Sequence, residues 1–191
     1  VMFILANPWA MTANKRFVDL NMNRLFCGQW QHEDLRLKEV KRAAKLEAYV
    51  ANFFAEEPVT VVQRLHYDCH TAIRASVRER FAVYPYVPNR VLPEQQQAFL
   101  ESAEINTVVL QQQSANTFSS FTSVKQNAQS FTLELGKVMP FGANNLARFS
   151  GIDMLLRDLI SGADLPTSPK HGIEQYVVHH TLEKSSEGWE F

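Results

Sequence analysis

The sequence predicts an α/β fold in which helices flank a mixed central sheet. Short apolar and β-branched runs with strand character alternate along the chain with longer runs whose apolar residues recur at helical spacing. The chain has 191 residues, of which 46% are hydrophobic, and this is enough to bury a sizeable core. Acidic and basic side chains nearly cancel, to a formal net charge of -1, which argues against a nucleic-acid partner.

Composition also bounds the cellular setting. The apolar run at residues 1–6 is far shorter than the roughly 20 residues that cross a bilayer, so no membrane partner is expected. No signal peptide is visible, and Cys27 and Cys69 show no disulfide pattern, which is typical of a reducing compartment. We expect a cytoplasmic domain. The sequence does not determine the oligomeric state, and a homo-oligomer is possible.

The first half of the chain predicts a strand, a loop and a helix. Residues 1–6 have the character of a buried strand that ends at Pro8, because proline has no N–H for the sheet. Residues 9–30 show no clean periodicity and predict a long ordered loop. Residues 33–57 predict a helix that Pro58 ends. Its apolar stripe consists of Ala43, Leu46, Val50, Phe53 and Phe54.

The second half alternates strands and helices. A helix is expected to begin at Pro93, and another to span residues 145–161 with Gly162 as its C-terminal cap. The apolar face of this last helix consists of Phe149, Ile152, Leu156, Leu159 and Ile160. Strands are predicted over residues 59–70, 80–84, 107–110 and 131–135.

A change of composition after residue 165 predicts a domain boundary. Residues 1–165 would form the main domain, and the proline-containing residues 166–169 begin a linker. Residues 173–180 look like the first strand of a further unit that the sequence does not complete.

The first candidate site is Asp68-Cys69-His70, at the carboxyl end of a predicted strand. Side chains alternate across a strand, so Asp68 and His70 share one face and Cys69 faces the other way. Ligand sites of α/β sheets gather at such strand ends, and a histidine beside a carboxylate suits a metal ligand with an acidic neighbour. Taken alone, His70 is better explained as an ordinary hydrogen-bonded histidine at a strand end, because histidine has many structural uses.

The second candidate is a basic loop. Arg16 and Arg24, with Asn23 beside them, could bind a carboxylate through paired N–H groups. The alternative is a set of ordinary solvated charges. Arg74 and either Arg78 or Arg80 could add positive charge at the same rim, although their spacing does not require it.

Two further candidates contain glutamate. Glu134 stands alone in an apolar strand, where it is costly to bury unless it is paired or functional; the alternative is an edge-strand side chain beside Lys137. His171 and Glu174 have metal-ligand spacing, but so short a motif recurs by accident.

Several of these segments together resemble one enzyme family. The series closely resembles the succinylglutamate desuccinylases, within the wider aspartoacylase family of zinc carboxypeptidase-like enzymes, from residue 1 to about residue 160. The motifs, in chain order, are Asn7-Pro8, Lys15-Arg16-Phe17, Asn21-Met22-Asn23-Arg24-Leu25-Phe26, Asp68-Cys69-His70-Thr71-Ala72-Ile73-Arg74 and Thr132-Leu133-Glu134-Leu135-Gly136-Lys137.

The resemblance implies a fold, a reaction and a set of roles. It implies a zinc carboxypeptidase-like catalytic domain followed by a smaller β-rich domain, and hydrolysis of N2-succinylglutamate in arginine catabolism. It implies a Zn²⁺ cofactor with His70 as one ligand and Glu134 as the general base or proton shuttle. Arg16, Asn23 and Arg24 match the residues that bind the substrate. Another N-acyl amino acid as substrate, or a binding module without catalysis, remains the alternative.

The sequence departs from the family pattern in one important place. The family carries a His-x-x-Glu zinc motif ahead of the segment that here begins at Val1. His171 and Glu174 have that spacing but stand in the wrong order along the chain, so zinc binding is not assigned to them. Asn21 also stands where many relatives have aspartate. We therefore expect the chain to be part of a longer protein, with a degenerate member of the family as the alternative.

Overall fold

Five strands form one mixed sheet in this computed structural model, which describes residues 1–56, 63–74 and 76–180. The strands are β1 (Leu65–Ala72), β2 (Phe81–Tyr84), β3 (Thr107–Leu110), β4 (Gln129–Lys137) and β5 (Glu174–Val177). Their order across the sheet is β1-β4-β2-β3-β5. The β1–β4, β2–β3 and β3–β5 pairs are parallel and the β2–β4 pair is antiparallel, which confirms the predicted mixed sheet.

Helices cover both faces of the sheet. They are α1 (Pro8–Thr12), α2 (Lys38–Ala55), α3 (Glu94–Ser102), α4 (Phe118–Lys125) and α5 (Ser150–Ser161). One face of β4 presents Phe131 and Leu133 to a core shared with α3 and α5. The opposite face presents Ser130 and Thr132, whose hydroxyl groups bond to α4. This period of two leaves one side of β4 apolar and the other polar.

The predicted strand at residues 1–6 is wrong. The segment lies along α2, where the Arg42 guanidinium donates hydrogen bonds of 2.8 Å to the Leu5 carbonyl and 3.0 Å to the Ala6 carbonyl. Val1, Phe3 and Leu5 are exposed, and no strand within the described ranges pairs with the segment. An apolar run indicates that a segment is suited to burial. A strand, however, also needs a neighbouring strand whose backbone hydrogen-bonds to its own N–H and C=O groups.

Helix α2 begins at Lys38 rather than at residue 33, and its predicted apolar stripe is confirmed, with Phe53 only partly buried. The predicted end at Pro58 and residues 59–62 of a predicted strand lie outside the described residues. The predicted loop at residues 9–30 contains α1 and two 3₁₀ turns, Met22–Arg24 and Gln29–His32.

Helix α4 was not predicted. Its sequence is rich in serine, threonine and phenylalanine, which are weak helix formers, and tertiary packing overrides that preference. The Thr117 side chain accepts a hydrogen bond from the Ser120 N–H and caps the helix.

In α5, Gly162 forms the expected left-handed cap, with φ of 72°. Ile152 is buried as predicted, but Leu155 joins it and Ile160 is exposed. The predicted last strand is shorter than expected, and β5 extends the same sheet beside β3. The division at residue 165 stays a prediction. No helix within the described residues has the length and apolarity to cross a membrane.

We expect Gly151→Ala to destabilise the fold. A Cβ at position 151 would lie 2.7 Å from the Ala103 carbonyl oxygen, where α5 meets the end of α3. Backbone must then move, at a cost of about 1–3 kcal/mol in the free energy of unfolding. Urea denaturation measures this change in the free energy of unfolding. Ser161→Ala, at the exposed end of α5, is the control and should shift the midpoint far less; equal midpoints for the two variants would contradict the close approach.

Candidate functional site

Two neighbouring strands bring His70 and Glu134 together. Strands β1 and β4 run parallel, and their register pairs His70 with Glu134 and Asp68 with Thr132. Neighbouring strands lie about 4.8 Å apart, so side chains at paired positions on one face are in reach of each other. Both residues lie near the carboxyl ends of their strands. This is the edge of the sheet at which the sequence predicted a site.

His70 also contacts Asp68 on its own strand. The His70 Nε2 lies 3.1 Å from the Asp68 Oδ2, as strand alternation predicted for residues on one face. Burial lowers the pKa of His70, but the Asp68 carboxylate and, less strongly, that of Glu134 outweigh it, so the pKa is raised overall. Cys69 is an exposed free thiol.

Glu134 is not an edge-strand residue, because β4 lies between β1 and β2. Its Oε2 is buried and has no hydrogen-bond partner among the described residues. Burial raises the pKa of Glu134 and the charge of Asp68 adds to this, while His70 and Arg16 oppose it. A half-buried carboxylate with an unused oxygen is suited to accept a proton.

The donor set fits part of a zinc site. His70 offers an imidazole nitrogen, and the buried Asp68 Oδ2, 3.1 Å from the His70 Nε2, is the nearest carboxylate oxygen on the same strand. Nitrogen and carboxylate oxygen are both zinc ligands. Across residues 1–56, 63–74 and 76–180, however, no three His, Cys, Asp or Glu side chains gather as a ligand group. His70 is therefore a single candidate ligand.

A buried polar layer lies beneath these residues. The Ser119 and Thr132 hydroxyls are 2.8 Å apart, and the Thr122 hydroxyl lies 2.9 Å from that of Ser130 and 2.7 Å from the His66 Nδ1. Burial lowers the pKa of His66. Sequence reasoning missed this layer, although polar residues at every second position of β1 and β4 are a signal that could have found it.

Of the predicted basic residues, Arg16 acts on the pair through its charge. It is exposed, and its positive charge opposes the raised pKa values of both His70 and Glu134. Arg78 and Arg80 are engaged elsewhere, in ion pairs of 2.6 Å with Glu174 and 2.7 Å with Glu104.

Asn23 and Arg24 lie on a 3₁₀ turn of the same loop. The Asn23 Oδ1 accepts a 2.9 Å hydrogen bond from the Phe118 N–H at the start of α4. Arg24 is exposed, donates to the Asn23 carbonyl at 2.8 Å and borders a cleft of about 420 Å³. Among the described residues, Arg24 forms no hydrogen bond or ion pair with His70 or Glu134.

The structure places His171 and Glu174 in other contacts. The Glu174 carboxylate binds Arg78, and the His171 backbone N–H donates to Glu101 at 2.8 Å. No metal-ligand group includes either residue in the part of the chain that the structure describes.

A family model for the succinylglutamate desuccinylase/aspartoacylase catalytic domain matches residues 1–160. The chain belongs to this family. It is 45% identical over 176 residues to a succinylglutamate desuccinylase of Idiomarina loihiensis, covering 92% of this chain and 51% of the relative. With the enzyme of that name from Shewanella piezotolerans it is 42% identical over 194 residues, covering 100% of this chain and 56% of the relative.

Solved structures of similar proteins have the same fold. The crystal structure of the succinylglutamate desuccinylase from Chromobacterium violaceum has a TM-score of 0.85 and 41% identity, covering 97% of this chain and 59% of that one. The chain thus spans about half the length of its curated relatives. A succinylglutamate desuccinylase/aspartoacylase from Rhodobacter sphaeroides, with a TM-score of 0.56 at 17% identity, shares the fold.

Proposed function

We propose that the protein to which this chain belongs hydrolyses N2-succinylglutamate to succinate and glutamate. The observation that carries the proposal is the placement of His70 beside Glu134 on parallel strands, with a buried Glu134 oxygen that has no hydrogen-bond partner among the described residues. The names of the relatives, at 45% and 42% identity, support this reaction.

Glu134 is assigned the proton transfers. As the oxygen of water attacks the amide carbonyl carbon, the Glu134 carboxylate takes a proton from that water. When the C–N bond breaks, the same group gives the proton to the departing amine of glutamate. Efficient general bases have pKa values near the working pH. The raised pKa of Glu134 moves it in that direction from the ordinary value of 4.5.

Zinc dependence is part of the proposal. His70 would hold the ion, which when bound makes a water more acidic and polarises the carbonyl. Asp68, in contact with His70, would fix the orientation of the imidazole.

Arg16, Asn23 and Arg24 are assigned to the substrate. N2-succinylglutamate carries three carboxylates, and guanidinium groups bind carboxylates through paired N–H donors. The charge of Arg16 already acts on His70 and Glu134, so a carboxylate bound there would lie close to the reacting groups.

Comparison of two substrates tests the specificity. We expect kcat/KM of the full-length protein to be at least about 100-fold higher for N2-succinylglutamate than for N-acetylaspartate, because the acetyl group lacks the third carboxylate that the succinyl group offers to the arginines. A preference for N-acetylaspartate would assign the protein to the aspartoacylase side of the family.

A further inference from the structure

We propose that Glu39 is a positioning residue that holds the loop carrying Arg16 against the site. Glu39 lies in the first turn of α2 and touches neither His70 nor Glu134 among the contacts of the described residues. The inference rests on the proposed function, in which Arg16 binds a substrate carboxylate.

The Glu39 carboxylate is fully buried, with 0% of the residue exposed. Its Oε1 accepts hydrogen bonds from the Val18 N–H at 2.6 Å and from the Asn7 Nδ2 at 3.0 Å. Its Oε2 accepts from the Asp19 N–H at 3.1 Å. Three donors from the preceding segment thus converge on one side chain, and two of them are backbone groups within three residues of Arg16.

The loop binds α2 in return. The Asp19 Oδ2 accepts a 3.1 Å hydrogen bond from the Lys38 N–H, at a helix start where the capping residue, Leu37, has no side-chain acceptor. One carboxylate of the helix binds the loop, and one carboxylate of the loop caps the helix. This pair of reciprocal contacts fixes the position of residues 18 and 19 relative to α2.

A buried carboxylate is an expensive way to stabilise a fold, since its charge must leave water. In the described ranges Glu39 forms no ion pair, so its hydrogen bonds alone offset that cost. Burial acts to raise the pKa of Glu39, but the bonds from Val18, Asn7 and Asp19 outweigh it and the pKa is lowered. The charged form is the one that the loop binds. What the arrangement provides is a fixed path for the chain just after Arg16.

A second glutamate of α2, Glu47, provides a matched control for Glu39. Glu47 accepts from the Gly28 N–H at 3.1 Å and from the Trp30 Nε1 at 2.9 Å. It has the same chemistry on the same helix, but it binds residues 28 and 30 at the far end of the loop, away from Arg16.

The test is a comparison of Glu39→Gln and Glu47→Gln in the full-length protein, each alone and combined with Arg16→Ala. We expect Glu39→Gln to raise KM about 10-fold with a smaller change in kcat, since charge-assisted hydrogen bonds position the loop. In the Arg16→Ala background Glu39→Gln should not raise KM further, because both changes weaken the same interaction, that of Arg16 with the substrate carboxylate. Glu47→Gln should change KM less than about 2-fold in either background.

Hydrogen exchange gives a second readout that does not depend on turnover. The Val18 and Asp19 amides should exchange at least about 10-fold faster in Glu39→Gln and unchanged in Glu47→Gln. If Glu39→Gln does not fold, the exposed Asp19→Ala removes the reciprocal contact and should raise KM in the same Arg16-dependent way.

Equal KM values for Glu39→Gln and Glu47→Gln, or additive effects with Arg16→Ala, would overturn the positioning role. A wild-type protein without turnover, together with the expected exchange difference, would overturn the proposed function and leave the anchoring of the loop standing.

Discussion

Replacing Glu134 by glutamine is expected to lower kcat by about 10²–10⁴-fold, because the amide cannot take the proton of the attacking water. The fold should persist. The pKa of Glu134 is raised in the folded protein, so its contribution to stability is fully present below the unfolded pKa and is lost as pH rises through the folded pKa. At neutral pH the ionised carboxylate therefore opposes folding, and a neutral glutamine should be at least as stable.

Steady-state kinetics measures kcat of the Glu134→Gln variant, and thermal unfolding at pH 7 measures its stability. The control is Glu104→Gln, an exposed glutamate paired with Arg80, which should keep normal kcat. The wild-type kcat/KM should also fall on the acid side at a pH above the ordinary glutamate value of 4.5. Near-normal kcat in Glu134→Gln would refute the assignment of the base.

The second large effect is expected from His70→Ala. Loss of a metal ligand should lower both zinc content and kcat/KM, the latter by about 10³-fold, since a catalytic metal supplies several kcal/mol. His171→Ala is the matched control. It removes the side chain of the other histidine with metal-ligand spacing but keeps its backbone hydrogen bond to Glu101, and it should leave zinc content and kcat/KM unchanged.

Metal analysis of the purified variants separates the interpretations. Full zinc content in His70→Ala with wild-type turnover would reduce His70 to a structural histidine paired with Asp68. Loss of zinc in His171→Ala instead would move the metal site to the end of the chain near β5.

The part of the site on β1 and β4 could be predicted because it follows from local periodicity. Alternation along β1 placed Asp68 and His70 on one face, and the 3.1 Å contact agrees. A lone glutamate in an apolar strand marked Glu134 as unusual. Their pairing could not be predicted from spacing, because 64 residues separate them and only the parallel β1–β4 register brings them together.

The rest depends on tertiary contacts that a single sequence does not display. Residues 1–6 have the composition of a strand but lie along α2, because Arg42 supplies their hydrogen bonds. Helix α4 has weak helix formers and is stabilised by packing on β4 and β1. Glu39 falls within a predicted helix at a position typical of a first-turn acid, so nothing in the sequence distinguished it from a solvated charge.

Zinc content and succinate release, measured on one preparation of the full-length protein, test the central claim most directly. We expect about one zinc per chain and release of succinate from N2-succinylglutamate that stops when a chelator removes the metal. A preparation without zinc that releases no succinate would contradict the account and favour a module that binds N-acyl amino acids without cleaving them.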